Sequence, residues 1–272
     1  MMELGCNTVL FNKSDLDEAL QHIAWAGYDG AELACLGDMA QHIEVGRDQS
    51  YYDEIKDRAR NYGLELFAIE AATNILEEDR RRWLLKVFEA AKKTGIPVVA
   101  IGSGGKTGDR DITQKVLRYI QELGEQAESW DITLAVKPHV GASVCNAETV
   151  MMMLEKVDSP AVGVNLDPSH LYRAQEDPAE AVAKIGGERI VHSHFRDCPH
   201  RERPPGLPEQ QVPGRGEIDI PRTLRALTDA GYEGVLGLEV IGAFNYPLSR
   251  QMGIAAEARG YLHRCLKELR LK

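Results

Sequence analysis

The chain has 272 residues, a net charge of −10 and a pI near 5.4. That balance argues against nucleic acid as a partner, because neutralising phosphates needs a surplus of Lys and Arg on one surface. No apolar stretch approaches membrane-spanning length, and the N-terminus lacks the regions of a secretory signal. Five scattered cysteines without a C-x-x-C pair suit reduced thiols. The expectation is a cytoplasmic protein with neither membrane nor nucleic-acid partners.

In chain order, residues 3–11 read as a first strand. Ser14 caps a helix with apolar positions at Leu16, Ala19, Leu20 and Ile23, which Gly27 ends. A second strand, 30–34, carries Glu32, and a helix follows over 52–62. The third strand is 64–69. The helix after it, 77–94, buries Leu84, Val87, Phe88 and Ala91 on one stripe, and its run Arg80-Arg81-Arg82 is balanced by Glu77, Glu78 and Asp79 as a solvated face. Strand four, 97–101, opens into Gly102-Ser103-Gly104-Gly105, a weak phosphate-loop signal better read as a turn. A helix over 112–130 leads to strand five, 132–137. The helix after it carries an apolar stripe of Val150, Met153, Leu154 and Val157. Strand six is 162–166, Asp177-Pro178 starts the next helix, and strand seven is 190–194. A loop over 196–220 holds five prolines. So long an ordered loop reads as a lid or an assembly arm, and a homo-oligomer built through it is an expectation. A helix to Ala230, an eighth strand at 235–240 and a last helix capped by Ser249 complete the count. Eight strand–helix pairs without a domain break predict a single-domain α/β protein, a closed (β/α)8 TIM barrel.

In such a barrel the chemistry lies at the C-terminal strand ends. Residues two apart on a strand share a face, which pairs Lys137 with His139, Asn165 with Asp167, and His192 with His194. Asp167, His194 and Glu239 end three successive strands. Carboxylates and imidazoles converging there suit a divalent metal ion, Mn, Mg, Co or Zn, without choosing among them. His192, deeper than His194, is given a supporting role. Arg196 is a candidate clamp for a phosphate or carboxylate of a substrate, and His200 a further substrate contact. Asp197 is a candidate to orient a neighbour or anchor the loop. Glu32 is read as a contact to a substrate hydroxyl or as support behind the metal.

The segments GYDGAEL, VGVNLDPSHL, IVHSHFRD, GRGEIDI and GYEGVLGLEV, in this order, resemble the xylose-isomerase-like sugar phosphate isomerase/epimerase superfamily. The resemblance implies a TIM barrel whose metal ligands are a Glu, an Asp, a His and a Glu on strands five to eight. By motif, Asp167, His194 and Glu239 match the last three, and His170 matches a substrate-contact histidine. The first does not match: where relatives show a segment like LALEPH this chain has LAVKPH, with Lys137 in place of the glutamate. An ammonium cannot ligate a metal. Three outcomes stay open: His139 moves in as fourth ligand, three ligands suffice with Lys137 facing the substrate, or the Lys137 ammonium replaces the ion.

The resemblance implies a metal-dependent isomerase or epimerase acting on a sugar or cyclitol-like polyol through an enediolate, with Glu239 and Lys137 as the acid/base or oxyanion-stabilising groups. The alternative is a lyase or dehydratase acting on a keto-sugar, keto-inositol or oxidised glycoside. A non-catalytic sugar-binding barrel and a DNA-repair endonuclease relative rank lower, the latter against the acidic charge.

Overall fold

The computed structural model describes residues 2–269. Eight parallel strands hydrogen-bond in chain order and close on themselves. They are β1 (Glu3–Asn7), β2 (Gly30–Ala34), β3 (Glu65–Glu70), β4 (Val98–Gly102), β5 (Thr133–Lys137), β6 (Val162–Leu166), β7 (Ile190–Phe195) and β8 (Val235–Leu238). Closure comes from β1 lying beside β8, with Leu4 opposite Leu236 and Cys6 opposite Leu238. Strands buried on both faces have to be apolar throughout. Runs such as Val98-Val99-Ala100-Ile101 satisfy that demand, and Glu70 and Lys137 close β3 and β5 with polar ends.

The helices α1 (Leu16–Ala26), α2 (Gln49–Asn61), α3 (Glu78–Thr94), α4 (Arg110–Ser129), α5 (Ala147–Lys156), α6 (Pro168–Arg173), α7 (Pro178–Ile185), α8 (Ile220–Asp229) and α9 (Leu248–Glu268) surround the barrel. The apolar stripes read from the sequence are buried, for example Leu84, Val87 and Phe88 of α3. Together with the strands they form a core that runs around the whole barrel.

Several boundaries differ from the sequence expectation, each for a local reason. The first strand stops at Asn7 rather than residue 11, because the Asn7 side chain accepts from Val9 N and turns Thr8–Phe11 into a 3-10 helix. Asp15 rather than Ser14 caps α1, and α2 starts earlier than expected, at the cap Asp48. Pro247 rather than Ser249 precedes α9. Asp167 caps α6, a short helix that the sequence reading left out. Strand β3 runs one residue further, to Glu70, and β8 stops short, so Glu239 lies just past its end. A register shift between Ala31 and Glu32 marks the β2–β3 pairing, and Gly30 makes room there: a Cβ would come within 2.4 Å of the Phe67 ring.

The 196–220 loop is not a loose arm. Asp197 Oδ1 accepts from Cys198 N and Ile218 N, and Oδ2 accepts from Gly214 N. The buried Gln211 exchanges two hydrogen bonds with the backbone of Ile241 in the loop after β8. Asp197 therefore anchors the loop through backbone amides.

Candidate active site

The C-terminal strand ends enclose a cavity of about 220 Å3, small beside the roughly 300–1,000 Å3 of sites for drug-sized ligands. Glu70, Lys137, Asn165, His170, Arg196 and Glu239 supply its polar wall, and Leu36, Met39, Ile101 and Ile241 are among its apolar lining.

Lys137, the last residue of β5, points inward. Its Nζ lies 2.8 Å from Glu239 Oε1 and 3.6 Å from Glu70 Oε1. Burial works against the ammonium, but Glu239, Glu70 and Asp167 hold its pKa above the usual lysine value. Arg196 places Nη1 3.2 Å from Glu239 Oε2 and Nη2 3.2 Å from Asp167 Oδ2. Its Nε donates to Ser169 Oγ, and Nη2 lies 2.9 Å from His170 Nε2. Burial, with Arg196 alongside, keeps His170 well below the usual histidine value in spite of Asp167. Each oxygen of Glu239 thus faces its own cation. Burial alone would raise this carboxyl, but Lys137, Arg196 and His194 hold it well below its ordinary value.

His194 sits between two carboxylates. Nε2 lies 2.7 Å from Glu32 Oε2, and Nδ1 lies 3.4 Å from Glu239 Oε1. Burial disfavours its charge, yet Glu32, aided by Glu239, outweighs burial and lifts its pKa to about 10. A Cβ at Gly237, beside these rings on β8, would come within 2.8 Å of Ser193 O, so only glycine fits that strand so closely against β7. Asn7 sits beneath the group. Its Nδ2 donates to Glu32 Oε2 at 2.9 Å and to Glu70 Oε2 at 2.7 Å, joining β1, β2 and β3.

Among the described residues, two groups bring three metal-ligating atoms within 4.8 Å of one another: Glu32, His192 and His194, and Glu70, His194 and Glu239. Both mix carboxylate with imidazole, as hard or borderline divalent ions require. Glu32 Oε1 and His192 Nε2 lie 3.3 Å apart and Glu239 Oε2 faces Arg196 at 3.2 Å, yet none of these three buried atoms makes a hydrogen bond. Buried polar atoms are rarely left so. The residues therefore fit a divalent ion.

Of the four ligands expected from sequence, His194 and Glu239 are brought together. Asp167 is not: Oδ1 accepts from Ser169 N and Ser169 Oγ, and Oδ2 faces Arg196. His139 does not join either. The chain turns after β5, and its ring stacks 3.9 Å from that of His170 while Nδ1 lies 2.9 Å from Val140 O. Of the expected substrate contacts, His170 and Arg196 line the cavity. Glu32 is buried behind the wall against His192 and His194. His200 is exposed in a separate surface hollow with Tyr172 and Arg201.

Sequence reasoning missed Glu70 and Asn7. The signal for Glu70 was present, since Glu65–Glu70 is an apolar run ending in a carboxylate, as Gly30–Ala34 is around Glu32.

Comparison with known proteins agrees with this architecture. A fructoselysine 3-epimerase of Escherichia coli O157:H7 is 23% identical over 257 residues, covering 88% of this chain and 90% of that one. An inosose isomerase of Bacillus licheniformis is 26% identical over 256 residues, covering 88% of each. A crystal structure described as the IOLI protein with a bound zinc atom superposes with a TM-score of 0.79 at 20% identity, over 98% of this chain and 99% of that one. Residues 20–265 match the family described as xylose isomerase-like TIM barrel, and the chain belongs to that family.

Proposed function

We propose that this barrel is a divalent-metal-dependent isomerase or epimerase acting on a small ketose or keto-cyclitol. The observation that carries the reading is the Glu239 carboxylate. It stands in the wall of the cavity, hydrogen-bonded to Lys137 and flanked by His194, a potential metal ligand. The curated relatives named above, an epimerase and an isomerase, support it.

Such reactions remove a proton beside a carbonyl and return it to another face or carbon. A bound divalent ion would polarise the carbonyl oxygen and offset the negative charge left by proton loss. Glu239, paired with Lys137 and Arg196, takes the proton from carbon, and its carboxyl or the Lys137 ammonium returns a proton to the other carbon or face. Lys137, 2.8 Å away, donates a hydrogen bond to the developing oxyanion and can exchange its proton with Glu239. Each acid/base group of this kind supplies a rate factor of roughly 10²–10⁴. Arg196 holds Asp167 and His170 in place and, itself part of the cavity wall, offers its guanidinium to substrate oxygens. The apolar Ile101 and Ile241 exclude water from the reacting carbon.

The test is product analysis with ketopentoses, ketohexoses and keto-inositols in the presence of Mn²⁺. The expected product has the mass of the substrate and an altered configuration or carbonyl position. A product that has lost water, with enone absorbance, would assign the site to a lyase. Saturable binding without conversion would leave a sugar-binding barrel and overturn the reading.

A further inference from the structure

We propose that Glu70 of β3 completes a divalent-cation site with His194 and Glu239, taking over the ligand role left vacant on β5 by Lys137. What the ion does rests on the isomerase reading, whereas where it binds rests on coordination geometry alone.

Three independent observations carry the assignment. Ligands about 2.1 Å from a common ion lie at most about 4.2 Å apart, and the Glu70, His194 and Glu239 atoms, within 4.8 Å of one another, need to close by only a fraction of an ångström to share one. All three side chains are buried, with 4%, 0% and 3% exposure, and Glu239 Oε2 faces Arg196 Nη1 at 3.2 Å without making a hydrogen bond. Glu70 and Glu239 also line the cavity, whereas Glu32, His192 and His194 do not. A catalytic ion needs a coordination position open to substrate, so the Glu70 group qualifies and the deeper one does not.

The surroundings prepare Glu70 for this role. Its pairing partners are Ala34 on β2 and Ala100 on β4, small residues that leave its side chain room to reach across the barrel. Asn7 donates to Oε2 and leaves Oε1 facing Lys137 and the cavity. Such a hydrogen bond from behind orients a ligating carboxylate. Asp167 is engaged with Ser169 on one oxygen and Arg196 on the other, so the site moves away from β6 toward β3. Lys137 then stands beside the ion as a competing positive charge and lowers its affinity.

Direct titration of the untagged, chelator-stripped protein with Zn²⁺ and Mn²⁺, read by a fluorescent chelator and by metal content, tests this. The expected wild-type result is one ion per chain. Glu70→Gln, which keeps the shape and the Asn7 contact, is expected to weaken binding by more than the ~10–100-fold typical of losing an outer hydrogen-bond partner. Asp167→Asn is expected to bind within about threefold of wild type, and Lys137→Met to bind more tightly. Circular dichroism establishes that each variant is folded, and a variant that fails to fold is replaced by Asn7→Ser for the Glu70 arm. Wild-type affinity in folded Glu70→Gln, a large loss in Asp167→Asn, or no metal uptake by the wild type would each overturn the proposal. Turnover separates the two readings: isomerisation by a Glu70→Gln protein that keeps its metal would remove the ligand assignment alone, and metal lost from Glu70→Gln while the metal-loaded wild type converts no ketose would remove the isomerase reading alone.

Discussion

At the scale of single residues, the site is a problem in compensating buried charge. Glu32, Glu70, Asp167 and Glu239 are all nearly inaccessible, and ionised carboxylates are tolerated inside a protein only with partners. Lys137 and Arg196 supply cations, His194 bridges Glu32 and Glu239, and Asn7 supplies two donors from one amide nitrogen. Asn7→Leu keeps the volume and removes both donors together with the cap on Val9 N. A hydrogen bond to a charged group contributes about 1.5–3 kcal/mol, so this variant is expected to lose on the order of 3 kcal/mol in urea denaturation. An unchanged midpoint would show that Asn7 does not hold the carboxylates. The legible residues were His194 and Glu239, which close apolar runs in a recognisable motif; Asp167 shares that motif but is turned to Ser169 and Arg196. His139 shares the cavity wall with Lys137, as the alternation suggested, but β5 ends at Lys137 and its ring turns to His170 rather than to the carboxylates. Glu70 escaped because the third strand was ended one residue early.

At the scale of elements, the loop after β7 shows how an apparently structureless segment becomes ordered. Five prolines restrict its unfolded freedom, and one carboxylate gathers the backbone amides of Cys198, Gly214 and Ile218. Gly216 fits tightly against that carboxylate, since a Cβ there would come within 2.2 Å of Asp197 Oδ1. Asp197→Ala leaves three amides without their acceptor, and a loss of about 3 kcal/mol is expected. Trypsin cleavage after Arg215, exposed in the loop between the tethered amides of Gly214 and Ile218, is expected to accelerate with it. Equal cleavage rates in wild type and variant would contradict the anchoring role. Sequence alone located the loop by its prolines and offered Asp197 as a candidate anchor, but not the amides it binds, because a lone Asp after a strand carries no sign of distant backbone partners. Helix stripes were read more securely, since a period of 3.6 residues is a property of the segment itself.

At the scale of the whole molecule, the barrel brings β1, β2 and β3 against β7 and β8 across its axis, so residues from opposite ends of the chain share one site. Glu32 meets His194, 162 positions away, and Lys137 meets Glu239, 102 positions away. The eight-fold alternation of strand and helix made the closed fold legible. The pairing of side chains across the axis depends on register, including the shift between Ala31 and Glu32, which no motif records. If the folded barrel alone binds the divalent ion, saturating metal has to stabilise it: at a hundredfold over Kd the gain is about 2.7 kcal/mol. Thermal unfolding with and without added Mn²⁺ or Zn²⁺ is therefore expected to show a higher Tm with metal, reversed by a chelator. A Tm indifferent to metal would mean that the carboxylate–imidazole groups bind no ion in the folded state.

The most direct measurement is wash-in of deuterium from D₂O at the carbon beside the substrate carbonyl, followed by proton NMR for the metal-loaded wild type and Glu239→Gln. The wild type is expected to replace that proton as it isomerises the ketose, and the variant to do so slower by roughly 10²–10⁴-fold. Turnover of the ketose with no deuterium entering the product, or full exchange by Glu239→Gln, would contradict proton abstraction by Glu239.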